Sequence, residues 1–306
     1  MTREEQLAWE ERAARPAAAA AFASALFGMA ALAVGAGAGL LSPADDRLEV
    51  LLRDHRHAGA YIGSAVLQAL SVAAIAPVLA FLYRAAKFRR PEIPRGALYL
   101  GVVAPPVVAV LTVINGFQTL AAADRVASKV VSRGGGPKAA VKFAEHEVTK
   151  GGGATVGYLA VAAGLSLAFA VGFNSINARR AGLLSQFMGI IGVIVGVLLV
   201  IPILGPPLVQ FFWFVALGLL FLDRWPGQRK RGPAWESGEP DAWPTAAELR
   251  AEQLAERGEL PARGSRRDPE PEPEPEEDEL YEEADEDEPV GTPHPRSKKR
   301  KRKRRR

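Results

Sequence analysis

The chain contains no cysteine, and this absence removes several classes of function. Without thiols there is no disulfide, no thiolate nucleophile and no cysteine-ligated zinc or iron–sulfur site. The absence says little about the cellular compartment, because a membrane-embedded helix bundle needs no disulfide. Only 4 histidines remain among the nitrogen ligands that commonly bind transition metals.

Charge is absent from a stretch of 42 residues, 181–222, which lies between Arg180 and Asp223. As one helix with a rise of ~1.5 Å per residue it would be about 60 Å long, roughly twice the ~30 Å hydrocarbon core of a bilayer. The chain therefore has to turn back. Gly205-Pro206-Pro207 favours that turn, because proline lacks an N–H donor and glycine tolerates unusual backbone angles.

Further apolar runs predict an all-α, polytopic transmembrane helix bundle of about six spans. A cleaved signal peptide is an alternative for the first run, because small residues near its end resemble a cleavage site. The Pro105-Pro106 pair is expected to kink or break the third span. The predicted spans are residues 17–41, 58–83, 97–122, 154–173, 183–204 and 206–222, after a cytoplasmic leader at 1–16.

The distribution of positive charge predicts the orientation of the bundle. Segments expected inside, 1–16, 84–96, 174–182 and 223–231, hold 14 Lys/Arg in 47 residues. Segments expected outside, 42–57, 123–152 and 205–207, hold nine in 49. The positive-inside rule then places both termini in the cytoplasm. We expect a multi-pass protein of a bacterial plasma membrane.

Residues 223–306 form a cytoplasmic tail that is expected to be mostly disordered, with one short helix near 246–257. The acidic block 268–288 contains 14 Asp/Glu and four prolines, and ten of the eleven residues in the basic block 296–306 are Lys or Arg. Such a basic run attracts polyanions, so anionic lipid headgroups and nucleic acid are the candidate partners, unless the tail is merely solvated. The candidate residues are Lys298, Lys299, Arg300, Lys301, Arg302, Lys303, Arg304, Arg305 and Arg306.

No ionisable residue lies inside a predicted span, which argues against proton-coupled transport. Asn115 and Gln118 are three residues apart on one helix. They either line a small polar cavity or form hydrogen bonds across helices. Asp54, His55 and His57 lie at one end of the second span. Topology could bring them together with Glu145, His146 and Glu147 of the external segment 123–152, but the spacing matches no metal motif. We therefore predict no metal, no cofactor and no catalytic site.

Small residues recur four apart in the fourth span, at Ala160, Gly164, Ala168 and Gly172, and Gly192 and Gly196 follow in the fifth. Such a face lets a second helix approach closely. The partner helix belongs either to the same bundle or to a second copy in a homo-oligomer.

Spans two to six have a distinctive layout. A basic loop follows Tyr83-Arg84, and the Asn177-Ala-Arg-Arg180 turn precedes a Gly-rich hairpin. In this layout the chain resembles uncharacterised six-helix bacterial integral membrane proteins of a domain-of-unknown-function type. The resemblance covers about 200 residues, excludes the tail and implies no activity.

These features predict a non-enzymatic membrane protein with a structural or interaction role. The bilayer surrounds its helices, and its basic C-terminus makes electrostatic contacts. The alternative is a transporter or facilitator for a small neutral or apolar molecule, in which the Pro105-Pro106 break and the Asn115/Gln118 face would be the polar feature.

Overall fold

The structure of the protein is a computed structural model, and the chain divides into two units, Met1–Ala247 and Glu248–Arg306. All helices named below belong to the first unit. The predicted helix near 246–257 and the acidic and basic blocks lie outside the described residues except at four positions of the tail. The structure describes residues 2–44, 46–133, 141–143, 146, 152–200, 207–225 and 232–244, with Glu248, Arg250, Ala251 and Leu254.

The described residues contain helices, turns and loops but no strand, so the all-α prediction is confirmed. The helices whose bounds are described are α1 Arg3–Gly37, α2 Arg47–Arg56, α3 Ala58–Ala73, α4 Ile75–Arg89, α5 Gly96–Arg133, α6 Gly152–Arg180, α7 Gln186–Val200, α8 Leu208–Phe221 and α9 Pro233–Ser237.

Four helical stretches of the described chain are long and apolar enough to cross a membrane. They are Arg3–Gly37, Ala58–Arg89, Gly96–Lys129 and Thr155–Arg180. The hairpin helices α7 and α8 are strongly apolar but have only 15 and 14 residues. The predicted turn between them lies outside the described residues except for Pro207, which precedes α8. Four spans are therefore supported, and six remain a prediction.

A kink or a break was expected in the third span, and the structure shows no break there, whereas the second span is divided. α5 is one continuous helix through Pro105 and Pro106. The two prolines remove only the hydrogen bonds to the carbonyls of Gly101 and Val102, and the turns on either side hold the helix together. The second span is divided at Ala74. There Pro77 cannot donate to the carbonyl of Ala73, four residues earlier.

The aromatic cluster of the hairpin contributes to the core as well as to the surface. Trp213 is fully buried, and its indole N–H donates to the carbonyl of Met188 at 3.1 Å. Trp213 therefore belongs to the packed interior of the bundle. Phe212, the preceding residue, is 48 % exposed on the outside of the bundle.

The small-residue faces of α6 and α7 pack against each other within the bundle. A Cβ atom added at Gly196 would lie 2.7 Å from the carbonyl oxygen of Ala168. One added at Gly192 would lie 2.2 Å from Oγ of Ser175. Gly164, by contrast, faces open space. Packing inside one bundle thus accounts for part of the stripe, and homo-oligomerisation stays a prediction.

The segment 232–244, which follows the hairpin, packs back onto one end of the bundle. Arg89, at the end of α4, is completely buried and donates to both carboxylate oxygens of Glu10 at 2.6 and 3.0 Å. The same guanidinium donates to the carbonyl of Ala234 at 3.0 and 2.6 Å. Gln6 adds a 2.8 Å hydrogen bond to Glu10. We call this group of buried polar contacts the Arg89 lock.

Trp235 completes the contact between segment 232–244 and the bundle. Its indole N–H donates to the carbonyl of Leu183 at 2.9 Å, and its ring stacks on Phe81 with 5.8 Å between ring centroids. Arg3 also lies 3.3 Å from Glu239. The start of α1 and segment 232–244 are therefore at the same end of the bundle, which leaves the opposite end to α2.

Candidate functional site

A cavity of about 670 Å³ lies at the α2 end of the bundle, between α1, α2, α3 and α5. Its volume is within the ~300–1,000 Å³ range of small-molecule sites. One wall is apolar and comes mainly from α1. The lining residues are Gly28, Ala31, Leu32, Gly35, Leu40, Leu41, Arg47, Val50, Leu51, Asp54, Tyr61, Ser64, Ala65, Gln68, Thr112, Asn115, Gly116, Thr119 and Pro207.

Helix α2 covers the cavity because its ends and one face are fixed. Asp46 caps its N-terminus by accepting a hydrogen bond from the backbone N–H of Glu49 at 2.9 Å. Leu51 packs against Ala123 and Val126 of α5. Asp54 is three residues after Leu51 and therefore lies on the same, inward face of the helix.

Asp54 has a buried carboxylate with no partner among the residues that the structure describes. The residue is only 5 % exposed. Within the described part of the chain, nothing donates a hydrogen bond to its carboxylate and no cation forms an ion pair with it. Burial raises the pKa of Asp54, and the charge of the neighbouring Arg53 opposes that rise. A buried carboxylate is costly unless something solvates it, so water or a ligand in the cavity beside it would stabilise its charged form.

Below Asp54 the lining from α3 and α5 is uncharged, with polar side chains set among alanine and glycine. The hydroxyls of Ser64 and Thr112 donate to carbonyls of their own helices, each at 2.8 Å. The amides of Gln68 and Asn115 are accessible and form no side-chain hydrogen bond with any described residue. An amide at membrane depth needs a partner, because lipid offers none. The cavity is therefore suited to water and to polar ligands.

Of the two amides predicted from the sequence, only Asn115 lines this cavity. The α5 residues of the lining are Thr112, Asn115, Gly116 and Thr119, which follow helical spacing. Gln118 falls one position outside that stripe, and its buried Oε1 has no hydrogen-bond partner in the described part of the chain. The sequence reasoning missed Asp54 as a lining residue. The available signal was the spacing of Asp54 three and four positions after Leu51 and Val50, which places it on their face of the helix.

The lower end of the cavity is closed by close packing. In the described chain the lining reaches no deeper than Gly28 and Gln68 along α1 and α3. One turn below, Oγ of the buried Ser71 donates to the carbonyl of Ser24 at 2.7 Å. The ring of Phe211 lies against Gly28, where an added Cβ would approach it to 2.4 Å. The cavity is therefore a pocket with a floor, and it does not continue to the Arg89 lock.

The histidines at this end do not form a metal centre with the other described residues. Nδ1 of His55 lies 2.7 Å from Oδ1 of Asp124, so this histidine pairs with α5. His57 is the residue before α3. Glu145 and Glu147 lie outside the described residues, as does the basic block with Lys298 to Arg306.

In comparisons with protein-family models, curated proteins and solved structures, no match to this chain was found. The resemblance in layout to six-helix bacterial membrane proteins thus stays a prediction.

Proposed function

We propose that this protein is a non-enzymatic, multi-pass membrane protein that binds a small polar molecule in the cavity between α1, α2, α3 and α5. The observation that carries the proposal is the unsatisfied polar lining: the Asp54 carboxylate and the amides of Gln68 and Asn115 all face a space large enough for a metabolite-sized ligand. A ligand with hydrogen-bonding groups would satisfy side chains that the fold leaves without partners.

The floor of the cavity favours binding over free passage. A facilitator for a neutral or apolar molecule was the alternative role, but an apolar cargo would leave Gln68 and Asn115 unsatisfied. Passage would further require separation of Ser71 from Ser24 and movement of Phe211 away from Gly28. The cavity then corresponds to a receptor-like site, or to the entry site of a facilitator in its closed state.

A single introduced cysteine tests whether the cavity is open to water, since the natural chain has no thiol. In Asn115→Cys we expect rapid modification by a charged, membrane-impermeant methanethiosulfonate reagent. Ser166→Cys on α6 is the matched control, because Ser166 bonds only to its own helix and does not line the cavity. We expect its rate to be at least tenfold lower, since charged reagents do not enter the lipid phase. Equal rates at the two positions would overturn the proposal.

The same variant tests the proposed orientation in a bacterial plasma membrane. The positive-inside bias supports cytoplasmic termini. Arg3 contacts Glu239, so both ends of the described bundle would face the same side. With N- and C-termini inside, the cavity faces outward, and Asn115→Cys should react in intact cells or spheroplasts.

A second proposed role belongs to the basic block 296–306, whose ten Lys/Arg favour contacts with anionic lipid or nucleic acid. Deletion of these residues should weaken binding of the purified protein to anionic vesicles or to duplex DNA, and the loss should diminish as salt rises. An association that is unchanged by the deletion and insensitive to salt would contradict this role. The acidic block 268–288 is the matched deletion, for which we expect stronger binding because a competing intramolecular partner is removed.

A further inference from the structure

We infer that the cavity between α1, α2, α3 and α5 selects a positively charged organic ligand, with the carboxylate of Asp54 as its counter-ion. The inference rests on the proposed function, since it assumes that the cavity is a binding site, and it adds the sign of the ligand's charge and its chemical class.

The charged residues of the lining decide the sign of the charge that a ligand should carry. Among the described lining residues only Asp54 and Arg47 are charged. Asp54 is 5 % exposed, whereas Arg47 is exposed at the N-terminus of α2. The two residues are seven apart, which is about 10 Å along a helix. The interior of the cavity therefore faces a carboxylate, and the guanidinium remains in solvent, where screening weakens its effect.

The residues on either side of Asp54 are engaged elsewhere, which leaves the charge of Asp54 available to a ligand. Arg53, its neighbour, donates to the carbonyl of Ser42 at 2.7 Å and forms no ion pair with Asp54 among the described residues. His55 is engaged with Asp124 of α5. By contrast, the buried carboxylate of Glu10 at the opposite end receives both donors of Arg89. Among the described residues Asp54 has no such counter-ion, and a bound cation would supply one.

The remaining lining indicates an organic ammonium group and not a metal ion. A divalent metal requires several oxygen ligands at ~2.0–2.6 Å, and the described residues contain no group of three metal-binding side chains. An ammonium group needs one counter-ion and a few acceptors. Ser64, Gln68 and Asn115 line the same space and carry oxygens that can accept hydrogen bonds from an ammonium group, and the aromatic Tyr61 also belongs to the lining. The volume also exceeds the requirement of a bare ion.

The test compares reagents of opposite charge in the Asn115→Cys variant of the full chain. A trimethylammonium and a sulfonate methanethiosulfonate reagent react by the same chemistry, so the ratio of their rates, divided by the ratio for a free thiol, reports the local charge. We expect the cationic reagent to be favoured about tenfold, as one carboxylate in a partly desolvated site allows. A ratio near one, or a preference for the anion, overturns the inference.

Second substitutions in the Asn115→Cys variant then test whether Asp54 causes the preference for the cationic reagent. Asp54→Asn should abolish the preference, Asp54→Glu should retain it, and Arg47→Gln should increase it. A preference that survives Asp54→Asn overturns the role of Asp54. If Asp54→Asn does not fold, the ratios in Asn115→Cys alone and with Asp54→Glu still decide the question.

Protection by ligand-like cations completes the test. We expect tetramethylammonium or choline to slow the modification of Cys at position 115, whereas tert-butanol, a neutral molecule of similar size, should not at the same concentration. Failure of every cation to protect, in a cavity that the reagents do enter, overturns the inference and leaves the proposed function standing. If neither reagent enters, the proposed function fails with it.

Discussion

Replacement of Arg89 by methionine is expected to destabilise the protein by about 3–5 kcal/mol, the usual cost of removing one partner from a buried ion pair. Arg89 is fully buried and gives Glu10 two hydrogen bonds of 2.6 and 3.0 Å. In Arg89→Met the Glu10 carboxylate would remain buried with Gln6 as its only described donor. The carbonyl of Ala234 would lose its two guanidinium donors as well.

The measurement is the free energy of unfolding in detergent micelles. Arg90→Met is the matched control at the next position, where the arginine pairs with the exposed Glu92. Exposed ion pairs contribute little, so this control should unfold almost as the natural protein does. A loss in Arg89→Met no larger than that in Arg90→Met would contradict the assignment of the lock.

A double variant separates two contributions to the lost stability: the unpaired charge of Glu10 and the lost contact between Arg89 and Ala234. Glu10→Gln with Arg89→Met removes both charges, and it should recover part of the stability lost in Arg89→Met alone. The remaining deficit would measure the contact of Arg89 with Ala234 and segment 232–244. No recovery at all would mean that the carboxylate of Glu10 is not the source of the cost.

The helical fold could be predicted because long runs without charge can only be buried or lie in lipid. The ends of the helices could not be predicted, because a helix continues into polar sequence as long as its backbone hydrogen bonds are formed. α5 runs past the predicted boundary at residue 122 to Arg133, and its added turns support α2 through Ala123 and Val126. Hydropathy measures burial in apolar surroundings and not where helical hydrogen bonding stops.

The Arg89 lock could not be predicted because its parts are far apart in sequence and each resembles ordinary surface. In the sequence, Glu10 belongs to the predicted leader, Arg89 to the basic loop, and Ala234 and Trp235 to the predicted cytoplasmic tail. Only the packing of segment 232–244 brings them together and removes them from water. A local signal did exist: Pro233 and Gly238 bracket a short helix, and Gly238 has a positive φ of 67°.

The cavity could be predicted only in part, because its lining also comes from segments that are far apart in sequence. An asparagine in an apolar span indicates a polar neighbour or a cavity, and Asn115 does line one. The sequence did not reveal which neighbour it faces. Asp54 belongs to α2, which packs on α5 after a turn of the chain, and its burial depends on Leu51 directing that face inward. Gln118 has the same chemistry as Asn115 but lies outside the stripe of α5 that lines the cavity.

Replacement of Gly182 by alanine should displace segment 232–244 from the bundle. Gly182 ends α6 in a left-handed conformation, with φ of 74°, and the N–H of Leu183 closes the turn by donating to the carbonyl of Ala178 at 2.9 Å. A Cβ atom at this position would lie 1.8 Å from the carbonyl oxygen of Asp241 and 3.0 Å from Cβ of Ala234. Neither the backbone of Asp241 nor the buried Ala234 can move aside without loss of the docked segment.

Gly39→Ala is the matched control for the backbone strain. Gly39 has φ of 71°, almost the same as Gly182, but the nearest atom to an added Cβ is Oγ of Ser42 at 3.9 Å. Both substitutions therefore carry the left-handed penalty of about 1–2 kcal/mol. Only Gly182→Ala adds the clash and the loss of the burial of Trp235, so we expect it to cost at least about 2 kcal/mol more.

Hydrogen exchange locates the effect within the chain. In Gly182→Ala the backbone N–H groups of Trp235 and Gly238, which donate to Gly232 and Ala234 at 3.0 Å each, should exchange much faster than in Gly39→Ala. In Gly182→Ala the α2 end should be unchanged, because the cavity floor at Ser71 and Ser24 does not depend on segment 232–244. Equal exchange of these amides in the two glycine variants would mean that the segment tolerates a methyl group at Gly182. Its docking would then depend on the Arg89 lock and Trp235 alone.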